Sequence, residues 1–252
     1  MAGALHEISF WDHVDELRKG LIRSAVVVAA MCAILFFFKK TLFDGIILAP
    51  ASSGFFLYRW LGADVSLSII NIDITAQFVV HIKATCIVAL ILSVPYLLYE
   101  AWLFVAPALY AGETGAVRRA FLASSALFYL GLAVGYCIVL PLMLNFFQGY
   151  FVSESIPNVI SLTSYMGTFS STVLLFGLVF LLPVLAALLS RLGIIDRGML
   201  RRGWRVAVFA TVLMAALITP SGDPFSLLVV SIPLFLLYLL SILVCRKEGA
   251  GA

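Results

Sequence analysis

Met166–Ser190, MGTFSSTVLLFGLVFLLPVLAALLS, runs for 25 residues without a Lys, Arg, Asp or Glu. A helix of that length reaches about 38 Å at about 1.5 Å per residue, enough to cross a hydrocarbon core about 30 Å thick. Five further segments qualify or nearly qualify: Leu21–Phe38, Ala76–Phe104, Ala120–Phe147, Val206–Thr219 and Ser226–Val244. Composition agrees. Of 252 residues, 63% are hydrophobic and 12% charged, where a soluble domain carries about a quarter charged residues; mean hydropathy is +1.12. The expected fold class is an all-α membrane protein, one integral membrane domain over residues 1–252 with six transmembrane helices.

The loops assign the sides, because Lys and Arg concentrate in the cytoplasm. One face collects twelve cations: Arg18, Lys19, Arg23, Arg118, Arg119, Arg191, Arg197, Arg201, Arg202, Arg205, Arg246 and Lys247. The other collects three: Lys39, Lys40 and Arg59. Six crossings then put both termini in the cytoplasm. Glu7, Asp12, Asp15 and Glu16 are the wrong chemistry for the cationic start of a cleavable signal peptide, so the first apolar run reads as a permanent span. The fifth segment is short for the bilayer, and spans five and six form a short hairpin around Thr219–Phe225 that is expected to thin the local membrane unless neighbouring helices shield the mismatch. Pro95, Pro141, Pro183 and Pro233 fall in or near spans and are expected to kink them, bending the bundle into a concave cup. The outer loops 39–75 and 148–165 read as ordered caps with short helices.

Several function classes fall away. A net charge of +3 is too small to suggest nucleic acid. There is no His-Glu-x-x-His, nucleophile elbow, P-loop or glycine-rich nucleotide fingerprint, and an enzyme is not expected. Cys32, Cys86, Cys137 and Cys245 stand singly in apolar stretches without metal-ligand spacing. They read as packing residues.

Two polar collars carry the candidate chemistry. In His13-Val-Asp-Glu16-Leu-Arg18, Phe10, Val14, Leu17 and Leu21 form one apolar face of an amphipathic helix over Ser9–Leu21 that feeds the first span. His13 and Glu16 share another face. In Phe104-Val-Ala-Pro107-Ala-Leu-Tyr110-Ala-Gly-Glu113, aromatics sit at interfacial depth and Pro107 is expected to interrupt the helix. Glu16 reads either as a screened surface charge or as a ligand group, and Glu113 either as a helix-start charge or as a second one. As ligand groups they are anionic sites in a cationic field, suited to bidentate grip of guanidinium groups. Within the spans, His81, Lys83 and Glu100 stand out, since ionisable groups there face protein or water. Glu100 either joins the collar site or pairs with a loop arginine. Asp223 sits in a turn, where Gly-Asp-Pro chemistry competes with a functional role.

Taken in order, His13-x-x-Glu16-Leu-Arg18, Pro50, Pro95-x-x-x-Tyr99, Phe104-x-x-Pro107-x-Leu-Tyr110-x-x-Glu113 and Thr219-Pro220-x-x-Asp223-x-Phe225 resemble the TatC family, the six-span receptor subunit of the twin-arginine (Tat) protein translocase. The likeness covers essentially the whole chain. It implies a bacterial inner-membrane protein that binds consecutive arginines in the signal peptides of folded export cargo. The implied binding site is Glu16, Arg18, Phe104, Pro107, Tyr110 and Glu113, with His13, Pro50 and Glu100 supporting and Thr219, Pro220 and Asp223 serving partners or mechanism. The resemblance implies single-span partners of the TatA and TatB type in a multimeric complex, export driven by the proton-motive force, and no cofactor or metal. Two positions depart from the pattern: Leu181 and Leu227 stand where some relatives carry a glutamate and a glutamine. The competing reading is a small-solute secondary transporter using Lys83, Glu100 and Asp223. It needs those groups to converge near the bilayer midplane. A third, a ligand-free membrane scaffold, assigns Glu16 and Glu113 no role.

Overall fold

The computed structural model describes residues 10–63, 65, 67–109, 114–153, 155, 158–219 and 223–245, and of residues 10–13, 105–109 and 114–117 the backbone alone. With no proline between them, the amphipathic collar and the first span merge into one helix, α1 (Phe10–Phe36). A chain of short elements follows: α2 (Lys39–Leu42), a π turn (Phe43–Ile47), a 3₁₀ turn (Ala49–Ala51), α3 (Phe56–Leu61) and strand β1 (Ile69–Ile70). Then come α4 (Ala76–Leu109) and α5 (Thr114–Val134), a second π turn (Gly135–Val139), and α6 (Leu140–Gly149). After β2 (Ile160–Ser161) the chain runs through α7 (Leu162–Val179), α8 (Leu182–Arg191), α9 (Arg197–Arg202), α10 (Trp204–Ile218) and α11 (Pro224–Val244).

Among the described residues, five stretches are long and apolar enough to cross a membrane: Val14–Phe36, Ala76–Phe104, Arg118–Gly149, Leu162–Arg191 and Pro224–Val244. The fifth expected span, α10, has 15 residues and is therefore about 22 Å long, short as expected. The sixth, α11, has 21 residues, about 32 Å. The shortness expected of both hairpin arms thus belongs to α10 alone.

The prolines act in two ways. Pro141 lacks the N–H that would bond Cys137, and the helix widens there into the π turn, with Leu140 N–H reaching back to the Gly135 carbonyl. The Pro183 ring cannot sit against the carbonyl four residues earlier; α7 stops at that residue, Val179, and α8 restarts with Pro183 in its first turn. Pro95 and Pro233 lie inside unbroken helices.

The bundle closes most tightly where α5 meets α7. A methyl group on Gly131 would lie 2.6 Å from the backbone oxygen of Phe176, and one on Gly177 would lie 2.8 Å from the Phe128 ring. Gly135 approaches the Phe176 side chain in the same way, at 2.9 Å. Lipid tails are as apolar as leucine, so close van der Waals approach between small residues replaces the hydrophobic drive of a soluble core. Phe128 and Phe176 fill the flanks, both fully buried.

At the end away from the arginines, tyrosines lock the short elements in place. Tyr136 donates to the Ile46 carbonyl at 2.8 Å and Tyr165 to the Ile47 carbonyl at 2.5 Å. Buried Tyr58 donates to the Pro50 carbonyl at 2.7 Å. Parallel pairing of β1 with β2 ties the two outer loops together. The first cap is thus ordered and carries the expected short helices, whereas the second, among its described residues, contributes strand β2 and no short helix of its own.

Helix α1 is the peripheral member. None of its most apolar 18-residue stretch is buried, and it packs antiparallel along α4, with three side-chain contacts marking the register. Arg23 pairs with Glu100 at 2.9 Å, the Cys32 and Cys86 sulfurs lie 3.4 Å apart, and the Phe36 ring stacks on His81 at 4.4 Å.

Substituting Gly131 by Ala is expected to destabilise the protein by about 1–3 kcal/mol, because the obstructing atom is backbone and cannot step aside. Gly167→Ala in α7, where a methyl meets nothing within 4 Å, is expected to leave stability unchanged or raise it by up to about 1 kcal/mol. Thermal unfolding in detergent measures both; equal midpoints would show that the α5–α7 crossing is looser than described.

Candidate functional site

The arginine-rich end of the α1–α4 pair holds a groove of about 320 Å³. Glu16, Leu17, Gly20 and Ser24 of α1 line one wall, at helical spacing, and Leu97, Glu100 and Phe104 of α4 line the other. Leucines and the phenylalanine make it an apolar trough; the carboxylates give it sign.

Glu100 is the fixed point. Its side chain is 9% exposed. One carboxylate oxygen accepts from Arg23 at 2.9 Å and the other from the Tyr96 hydroxyl, one turn earlier on α4, at 2.6 Å. The side chain of Arg23 is 56% exposed. The pair therefore joins an enclosed anion to a cation that water still reaches, and charge-assisted hydrogen bonds of this kind contribute about 1.5–3 kcal/mol each. Gly20 faces the carboxylate: a methyl group there would sit 3.4 Å from Oε2, so a larger side chain would close the notch.

The opposite face of α4 is anchored elsewhere. Trp102, two residues and about 200° on from Glu100, is buried and donates from Nε1 to Ser124 Oγ at 3.0 Å. Ser124 donates in turn to the Ala120 carbonyl at 2.7 Å. This fixes the end of α4 against α5, and with it the direction in which Glu100 and Phe104 point.

Glu16, Glu100 and Phe104 are therefore brought to one groove; Arg18, exposed on α1, is not among its lining residues. Tyr110 and Glu113 lie outside the described residues, and the side chains of His13 and Pro107 are not described. The break expected at Pro107 from the sequence does not occur there: α4 continues to Leu109. Pro50 is buried in the cap at the other end of the molecule, far from the groove. Thr219, also buried, bonds the Ala215 carbonyl at 2.9 Å, and Asp223 caps α11, accepting from Ser226 N at 2.7 Å. Pro220 lies outside the described residues.

The transporter constellation does not assemble. Lys83 and Glu100 share α4 but stand 17 residues apart, about 26 Å along the helix. Lys83 is exposed, Glu100 is paired with Arg23, and Asp223 caps a helix at the far end. Sequence reasoning missed Arg23 and Tyr96 as site residues. The i, i+4 spacing of Tyr96 and Glu100 was a usable signal; the depth of Arg23 beside Glu100 depends on the antiparallel register of α1 and α4, which no local pattern carries.

A family model described as Sec-independent protein translocase protein (TatC) matches residues 12–233. The TatC protein of Deinococcus radiodurans is 32% identical over 236 residues, covering 94% of this chain and 85% of that protein. The TatC of a Blattabacterium from Periplaneta americana is 33% identical, covering 96% of each. Two crystal structures described as the twin-arginine translocase receptor TatC, one of them in the detergent DDM, are each 30% identical to this chain. They superpose with TM-scores of 0.77 and 0.79 and cover 92% and 93% of this chain and 97% and 99% of their own. With its membrane-spanning helices in the same arrangement over nearly its whole length, the chain belongs to the TatC family of Sec-independent protein translocase components.

Proposed function

We propose that this protein is the receptor and core subunit of a twin-arginine translocase in the bacterial inner membrane, with both termini in the cytoplasm. It binds the consecutive arginines of signal peptides on folded cargo and organises single-span partners of the TatA and TatB type in a multimeric complex. It catalyses no covalent reaction. The observation that supports this most is the groove between α1 and α4, where Glu16 and Glu100 flank an apolar trough closed by Phe104. A signal peptide offers guanidinium groups followed by an apolar segment; the groove offers carboxylates followed by leucines. Glu113, three residues beyond Tyr110, is the second gripping carboxylate in this reading. Arg18 and Tyr110 shape the same site.

Within it Glu100 has a different part from Glu16. Glu16 is exposed and available to an incoming arginine, while Glu100 already holds an internal guanidinium, that of Arg23. Glu100 positions α1, and therefore Glu16, against α4. The short α10 supplies the mechanical side: a helix about 8 Å short of the hydrocarbon core thins the bilayer where cargo crosses.

Charge reversal tests the site. Glu16→Lys or Glu113→Lys is expected to abolish binding of a twin-arginine signal peptide, read by site-specific photocrosslinking, while membrane insertion is unchanged. Binding that survives the double reversal would refute the receptor reading. Glu16→Ala and Glu113→Ala are expected to be non-additive, since both grip one arginine pair.

For the internal pair, Arg23→Glu and Glu100→Arg are each expected to lower thermal stability and signal-peptide binding together. The double swap should restore both, with a coupling of about 0.5–3 kcal/mol. A double swap no better than the worse single variant would mean that the pair does not hold α1.

Lengthening α10 by one turn is expected to impair transport of folded cargo several-fold while leaving signal-peptide binding intact. Equal loss of both would trace the defect to misfolding instead of membrane thinning.

A further inference from the structure

We infer that the cleft between α8, α10 and α11 is a binding site for one anionic phospholipid, its acyl chain in the cleft and its phosphodiester on Arg197, with Arg201 and Arg205 alongside. The cleft has a volume of about 260 Å³, and its walls include Leu185, Leu189, Ala207, Ala210, Met214 and Leu234. Three hydroxyls also line it, and each is spent on backbone. Thr211 donates to the Val208 carbonyl and Ser241 to the Leu237 carbonyl, both at 2.8 Å, and Tyr238 donates to the Leu200 carbonyl. With each hydroxyl proton committed and the remaining walls apolar, the cleft offers a ligand no free hydroxyl donor and mainly hydrocarbon surface.

Its size selects among apolar occupants. An acyl chain is narrower than a protein helix about 10 Å wide and can follow a slot between three helices. A single acyl chain fits. The slot exists because α10 presents Ala207 and Ala210 where larger side chains would meet α8 and α11.

The mouth supplies the headgroup chemistry. The Tyr238 bond to Leu200 holds α9 over the arginine-rich end of the cleft. Arg197 precedes Leu200 by three residues and so lies one turn away on the same face of α9. Its Nε is buried and has no hydrogen-bond partner, a donor that a phosphate oxygen would satisfy. Arg201 and Arg205 are exposed nearby, and Arg205 lies over the Trp204 ring at 5.7 Å, an interfacial arrangement of aromatic and cation. The nearby carboxylate, Asp196, accepts from Met199 N at 2.6 Å as the cap of α9. From residue 191 to 205 the chain carries five arginines against that one acid. Basic pockets between helices on this side of a membrane bind anionic headgroups. The α1–α4 groove is a separate site, and this inference does not rest on the receptor reading.

The full-length protein, reconstituted in nanodiscs of equal phosphatidylglycerol and phosphatidylcholine and released for native mass spectrometry, tests it. One phosphatidylglycerol is expected to remain bound, preferred over phosphatidylcholine by about tenfold. Arg197→Gln with Arg201→Gln should bring the two lipids to parity, and Arg197→Lys with Arg201→Lys should retain most of the preference, which separates charge from folding. Ala210→Leu, which fills the cleft, should displace both lipids without altering the size-exclusion profile. Equal retention of the two lipids by the unaltered protein would overturn the proposal. So would a preference indifferent to the glutamine pair, or to Ala210→Leu.

Discussion

The contact on which this bundle depends is the meeting of α5 and α7 at Gly131, Gly135 and Gly177. In water such a crossing would be one apolar contact among many. In hydrocarbon the tails solvate leucine as well as another helix does, and only close backbone approach with well-matched surfaces distinguishes a neighbour from the solvent. A Cβ on Gly131 at 2.6 Å from a backbone oxygen indicates how little slack remains. The other spans arrange themselves around that pair. α4 packs on both α5 and α7, α11 packs on α8 and α10, and α1 lies outermost on α4.

That layering explains why the site sits where it does. α4 is held on one face by Trp102 and Ser124 and offers its other face to α1. A groove between a fixed helix and a peripheral one has one rigid wall and one wall held chiefly from a single side. Glu100, enclosed and doubly hydrogen-bonded, belongs to the rigid wall; Glu16, exposed, belongs to the other. The two carboxylates look alike in the sequence and are unlike in the fold.

The spans were legible because the bilayer imposes a single strong rule, about 20 apolar residues per crossing. Met166–Ser190 and Ala76–Phe104 satisfy it without help from context. The shortness of α10 was legible for the same reason, while that of α11 was overstated because Pro224 starts a helix that the apolar run alone begins two residues later. Proline gave mixed guidance. Pro141 and Pro183 break the hydrogen-bond ladder, whereas Pro107 does not, since its helix runs two residues further. The acidic collar residue Glu16 could be found from pattern. Arg23 could not: it reads as one more loop-proximal cation until the antiparallel register of α1 and α4 places it against Glu100. Pro50, attractive in the sequence, belongs to the far cap, where its carbonyl accepts from Tyr58.

The tyrosine clasps at that cap bear on how the chain is made. The carbonyls of Ile46 and Ile47, in the π turn after the first span, accept from residues 90 and 118 positions later. A ribosome adding about 5–20 residues per second needs roughly 6–24 s to deliver Tyr165 after Ile47. Throughout that interval the nascent segment beyond α1 waits without its final acceptor–donor pairs, and the first helix has been threaded before anything exists to fasten it. The amino-terminal third of the molecule is thus synthesised first and secured late, once the fourth crossing arrives to close the clasp.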